Sequence, residues 1–195
     1  TLLKEGLVIY DGALAQILWT SAGQPDKASI LTDVYWQGHL RDLKNLRAFY
    51  NGTEAEPFIY KNPQGKDISA TKEGERGFLF KTINAYGHYQ VEDPLTGQMT
   101  SWSQWQVVSG ENAWAGVIGP LQQYYFKNGR SYNPNATEIR LAEEIARAAL
   151  LLQAENGGIR MGPIGNWVLG YAGDKKDGYY LQQSIENNLS WYAAF

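Results

Sequence analysis

Cysteine is absent from the 195 residues. Disulfide staples, thiol nucleophiles and cysteine-ligated zinc are thereby excluded. Histidine is scarce: with only His39 and His88, neither an HExxH zinc site nor a His-rich metal cluster can form. A GxxxxGK[ST] phosphate loop and a GxSxG nucleophile elbow are also missing. Asp174–Gly178 (DKKDG) is too short and too basic for a calcium loop. No metal and no cofactor is therefore expected. An excess of positive charge is lacking as well. The net charge is −3 and Lys and Arg are scattered, so a nucleic-acid partner is not expected. No apolar run approaches the roughly 20 residues that span a bilayer.

What is present is a globular composition with many aromatic rings. Hydrophobic residues make up 44% and charged residues 19%, enough for one domain over residues 1–195 with its own core. Aromatics reach 13%, with 7 Trp and 13 Tyr. Many lie in Gly-rich and polar stretches that read as loops, among them His88, Trp102, Trp105 and Trp167 with their Tyr neighbours. Rings held near a surface offer flat apolar faces with a polar tip, which match the CH faces of sugars. The alternative is that long loops fold around small cores of their own. The chain opens at Thr1 without Met, and an extracytoplasmic location is expected. Asn51, Asn135 and Asn188 each begin a glycosylation sequon.

Periodicity divides the chain. Leu7, Ile9, Leu14, Ile17 and Leu18 are spaced as a helical stripe over about 7–21, ended by Gly23 and Pro25. A second helix over about 26–40 carries Ala28, Leu31, Val34 and Tyr35 on one side, and Asp26 suits its N-terminus. The pair reads as a helical hairpin. Residues 51–108 are rich in Gly and Pro with short β-like runs, and read as a loop-and-strand insertion. A second hairpin follows, over about 111–126 and 135–154, with Ile139, Ala142, Ile145, Ala146, Ala149 and Leu150 at a period near 3.6. A third apolar helix starts near Ser184 and carries Trp191, Tyr192 and Phe195. Its apolar side needs a partner, supplied by the first hairpin, by a second copy or by further polypeptide.

An acid stands at the head of the first helix of each unit: Asp11, Glu111 and Glu186, offset by 100 and 75 residues. Repeated hairpins must stack to bury their faces, and stacked first helices gather their N-termini at one end. The acids can simply favour the helix dipoles, each by about 0.3–1 kcal/mol. Alternatively, two carboxylates on such a rim can act as general acid and base. Glycoside hydrolysis needs that pair, roughly 5–5.5 Å apart for retention and 6.5–9.5 Å for inversion. Tyr10 and Trp114 flank the acids. Arg160, between glycines in GGIRMGP, could bind a carboxylate or a hydroxyl, or be an ordinary surface arginine.

Three phrases carry a resemblance. YDGALAQILWTSAGQPDKASILTD, GENAWAGVIGPLQQYY with LLLQAENGGIRMGP, and SIENNLSWYAAF resemble, in that order, hairpin openings of six-hairpin glycosidase-like proteins. The resemblance implies a mainly α fold of stacked hairpins, part of an (α/α)6 toroid. About two and a half of six hairpins are present. It implies an oligo- or polysaccharide ligand at the toroid's open end, no cofactor, and Asp11, Glu111 and Glu186 as the site acids. Tyr10, His88, Trp102, Trp105, Trp114, Arg160 and Trp167 are the candidate sugar-binding residues. The superfamily contains hydrolases, lyases and epimerases, so the fold does not choose the reaction. A glycoside hydrolase is the first expectation. A non-catalytic carbohydrate-binding module and a helical scaffold for a protein partner are the alternatives.

Overall fold

The computed structural model describes residues 6–38, 49–50, 53–54, 77–79, 81–84, 90–92, 99–101, 107–162 and 181–195. These residues are mainly helical. The helices are α1 (Ile9–Ser21), α2 (Pro25–Gly38), α3 (Ser109–Asn112), a π-helical turn (Ala113–Ile118) that runs into α4 (Gly119–Asn128), α5 (Thr137–Leu150) and α6 (Ile185–Ala194). Six short strands make three antiparallel pairs. β1 (Gly6–Val8) pairs with β4 (Thr82–Asn84), β2 (Phe49–Tyr50) with β3 (Thr53–Glu54), and β5 (Gln90–Glu92) with β6 (Met99–Ser101). All but β1 fall within or beside the expected insertion. Leu7, read as the start of the first helical stripe, belongs instead to β1 and pairs with Ile83.

Both expected hairpins form. α1 packs on α2, and α5 packs on the π turn and α4. The turn between α1 and α2 passes through Gly23 at φ 74°, where an L side chain would be strained. The unbroken stretch α3–π–α4 lies against α1 on one side and α6 on the other. The π turn has a local cause. Pro120 offers no N–H, and its ring would clash with the carbonyl four residues back in a regular helix. A five-residue spacing widens the helix there and relieves that clash. Gly116 and Gly119 follow from packing: a Cβ on either would run into Ile145 or Gln16.

The first stripe is as expected at Ile9 but not at Leu14 and Leu18. α1 buries Ile9, Gly12, Ala13, Gln16 and Thr20, whereas Leu14 and Leu18 are exposed. Small residues face inward because α1 lies close to α2, the π turn and α4 at once. The polar Gln16 is accommodated by a network through its amide nitrogen, while its Oε1 is buried without a hydrogen-bond partner. Its Nε2 donates to Thr32 Oγ1 at 2.7 Å and Gln123 Oε1 at 2.8 Å. Thr32 donates to the same Gln123 oxygen at 2.8 Å, and Gln123 Nε2 donates to Glu138 Oε1 at 3.1 Å. Four helices are thus locked in register by groups that would be costly to bury unpaired. On α5 the stripe is as expected, except that Leu150 points to solvent and Leu141 and Ala148 to the core.

The core joins Ile9, Leu31, Tyr35, Phe78, Leu79, Leu141, Ile145, Leu152 and Trp191. Trp191 finds its cover within the chain, but Ile185, Leu189, Tyr192 and Phe195 remain exposed on the far side of α6. Tyr192 is 85% exposed. Leu14 and Leu18, one turn apart on α1, are also exposed.

Candidate functional site

Each unit head is built by an extended residue followed by a helix. Val8 and Val108 hold β-type backbone before α1 and α3, and Ser184 does so before α6. Ser184 also accepts from the Asn187 N–H through its side chain. Four residues after the cap, two of the heads carry an asparagine that clamps a peptide of the preceding segment. Asn112 Oδ1 accepts from the Leu79 N–H at 2.7 Å, and its Nδ2 donates to Leu79 C=O at 2.9 Å and Val108 C=O at 3.0 Å. Asn188 does the same with Ile159 N–H (2.7 Å), Ile159 C=O (2.9 Å) and Ser184 C=O (2.9 Å). In the first unit this place is Gly12, whose missing Cβ makes room for the Tyr35 hydroxyl. Asn188, read as a sequon, therefore has its amide engaged in the fold.

The clamp sets the register of the repeat. Val8 to Val108 is the expected offset of 100, but Asn112 to Asn188 is 76, one more than the spacing of the acids. Asp11 and Glu111 are thus equivalent positions, while the third equivalent position is Asn187. Glu186 sits one residue earlier on its helix. The heads of α3 and α6 touch where a Cβ on Gly110 would run into the Asn187 side chain.

Despite that shift, Asp11 and Glu186 both lie near enough for their charges to bear on Glu111. Glu111 is largely buried, with 18% of its side chain exposed, whereas Asp11 and Glu186 are open to water. Burial pushes the Glu111 carboxyl above the usual carboxylate range. The charges of Asp11 and Glu186 add to the rise, and Lys81 opposes it. Lys81 Nζ lies 3.4 Å from Glu111 Oε1. Glu111 Oε2 is buried without a hydrogen-bond partner, which disfavours the charged form. Two aromatic rings belong to the heads of the first two units. Tyr10 and Trp114 meet edge to face with centroids 6.1 Å apart. Trp114 Nε1 donates to Ser190 Oγ at 3.0 Å, and Ser190 in turn donates to the Glu186 carbonyl at 3.0 Å. The Trp114 indole is therefore tied to the first turns of α6.

Arg160 is brought to the same rim through its backbone. Its carbonyl accepts from Ser109 Oγ at 2.7 Å, two residues before Glu111. The Ser109 N–H donates to Met161 C=O at 2.7 Å. The remaining sequence candidates, His88, Trp102, Trp105 and Trp167, lie outside the described residues.

Lys81 was not among the residues singled out by sequence. It lies 30 positions before Glu111, with no motif to mark it. Asn112 was also passed over and Asn188 was read only as a sequon, although an Asn four residues after an extended cap recurs in two of the three heads. Among the described residues no group of three or more His, Cys, Asp or Glu could hold a metal ion, and no helix is long and apolar enough to cross a membrane. No family model, curated protein or solved structure matches the chain.

Proposed function

We propose that the chain is a carbohydrate-active protein, a glycoside hydrolase whose carboxylates act at the gathered heads of stacked hairpins. The observation that carries this reading is the convergence at Glu111. Asp11 on α1 and Glu186 on α6 both act on the Glu111 carboxyl of α3, and the same heads contribute the Tyr10–Trp114 ring pair. Burial favours a protonated Glu111, the form a general acid needs. Asp11 and Glu186 are the exposed carboxylates available as base or nucleophile. The ring pair supplies an apolar face for a sugar, and Arg160 a donor for its hydroxyls.

The architecture in this proposal is part of an (α/α)6 toroid, as in six-hairpin glycosidase-like proteins, working outside the cytoplasm. The stacked order α1, α3–π–α4, α6 supports it. So do the exposed apolar residues of α1 and α6, which suit further helices from a second copy or from additional polypeptide. The test is reducing-sugar release from a panel of oligo- and polysaccharides, repeated with Glu111→Gln. Release lost in the variant supports the role; equal release by both proteins removes Glu111 from it.

One observation favours a second reading. The Lys81–Glu111 ion pair engages the carboxyl as a structural pair would. In that reading the same rim binds glycan without turnover. Glycan affinity measured by calorimetry with no product formed selects it.

A further inference from the structure

Lys81 is ion-paired with the buried acid of the cluster, and the fold fixes the segment that carries it. Phe78 and Leu79 are buried at 1% and 0% exposure. The Leu79 peptide is held on both its N–H and C=O by Asn112, the residue next to Glu111. Two residues on, Lys81 C=O accepts from the Ile9 N–H at 3.0 Å, and Thr82 pairs with Val8. The segment that carries Lys81 is thus fastened to the heads of both α1 and α3. Its ammonium reaches Glu111 Oε1 at 3.4 Å while remaining one-third exposed.

We propose that Lys81 is a positioning residue of the acid cluster: its ammonium holds Glu111 by Oε1 and leaves Oε2 as the oxygen that carries the proton. An ammonium has donors only, so a protonated Oε1 would confront it with a second donor. When Glu111 is protonated, its proton therefore belongs on Oε2, which is buried without a hydrogen-bond partner. Lys81 also offsets the repulsion that Asp11 on α1 and Glu186 on α6 exert on an ionised Glu111. This inference rests on the reading of the three acids as one site, but its test needs no substrate.

The test is a 13C NMR titration of the glutamate side-chain carboxyls, with Glu111→Gln assigning the Glu111 signal. Lys81→Met is expected to move the Glu111 midpoint up by about one pH unit or more, the usual size of losing an opposite charge within about 4–6 Å. Lys81→Arg is expected to keep it near the wild-type value. A Lys81→Met midpoint equal to wild type overturns the proposal. In the unaltered protein the Lys81 13Cε shift is expected to report the Glu111 midpoint, and an independent titration of the two signals overturns it without any variant. If a glycan substrate is found, the alkaline limb of the rate profile moves to higher pH in Lys81→Met, because an acid must be protonated to act. Coupled titration with no turnover on any glycan would defeat the hydrolase reading and leave this one standing. Turnover with uncoupled titration would do the reverse.

Discussion

Replacing Asn112 by alanine tests the unit-head clamp most directly. The Asn112 side chain and Leu79 are both fully buried, so water cannot readily replace what is lost. The Leu79 N–H would become an unsatisfied buried donor, costing about 1–3 kcal/mol. Leu79 C=O would lose its bond from Nδ2, roughly 1 kcal/mol more. Val108 C=O keeps a partner, the backbone N–H of residue 112 at 3.2 Å, and adds little. The expected loss is therefore about 3 kcal/mol, a large share of the 5–15 kcal/mol typical of a folded domain. Urea unfolding followed by tryptophan fluorescence measures it as a fall in midpoint at constant slope. Asn188→Ala is the internal comparison. Its clamp is partly exposed, water can repair some of the damage, and a smaller loss is expected. The Asn112 substitution should also free the segment bearing Lys81, so the Glu111 titration should shift as it does in Lys81→Met. An Asn112→Ala protein within 1 kcal/mol of wild type, with the Glu111 midpoint unmoved, would refute the clamp reasoning.

Gly110→Ala places a Cβ against the Asn187 side chain and 2.9 Å from its Cα. Because α3 and α6 must separate to admit it, a loss of roughly 1–3 kcal/mol is expected in thermal unfolding; an unchanged melting temperature contradicts that close approach. Glu111→Gln tests the buried carboxyl. A carboxyl whose folded pKa is raised binds its proton more tightly in the native state, so stability is greatest below the unfolded pKa and declines as pH rises through the folded one. The glutamine variant should lack that decline, and parallel stability–pH curves for the two proteins would count against the burial of Glu111. Leu189→Lys on the exposed face of α6 should leave stability within about 0.5 kcal/mol while reducing concentration-dependent association in light scattering. A loss above 1 kcal/mol would show that this stripe is covered in solution.

The local pattern in the chain was enough for the helices and their pairing. α5 was legible because Ile139, Ala142, Ile145 and Ala149 repeat at the helical period and lie on its buried face. The heads were visible as acids before apolar runs. α1 was misjudged as to face, since the larger residues Leu14 and Leu18 dominate any apolar count. Its contacts with three neighbours are made by Gly12, Ala13 and Gln16 instead. The third head was read one residue out of register for a related reason. Charge draws the eye to Glu186, but the backbone repeat is marked by Asn188, whose importance lies in a hydrogen bond to Ile159, 29 residues away.

Helical periodicity, turn glycines and the absence of cysteine and histidine are properties of neighbours along the chain. They alone determined that this chain is mainly helical and built of hairpins, and that it carries neither a cysteine thiol nor an HExxH motif. Which carboxyl is buried, which face of α1 is covered and which lysine stands among the acids depend on residues 30 to 110 positions apart. Burial and charge coupling act through space, so only the tertiary structure could decide that Lys81, Asp11 and Glu186 all bear on Glu111.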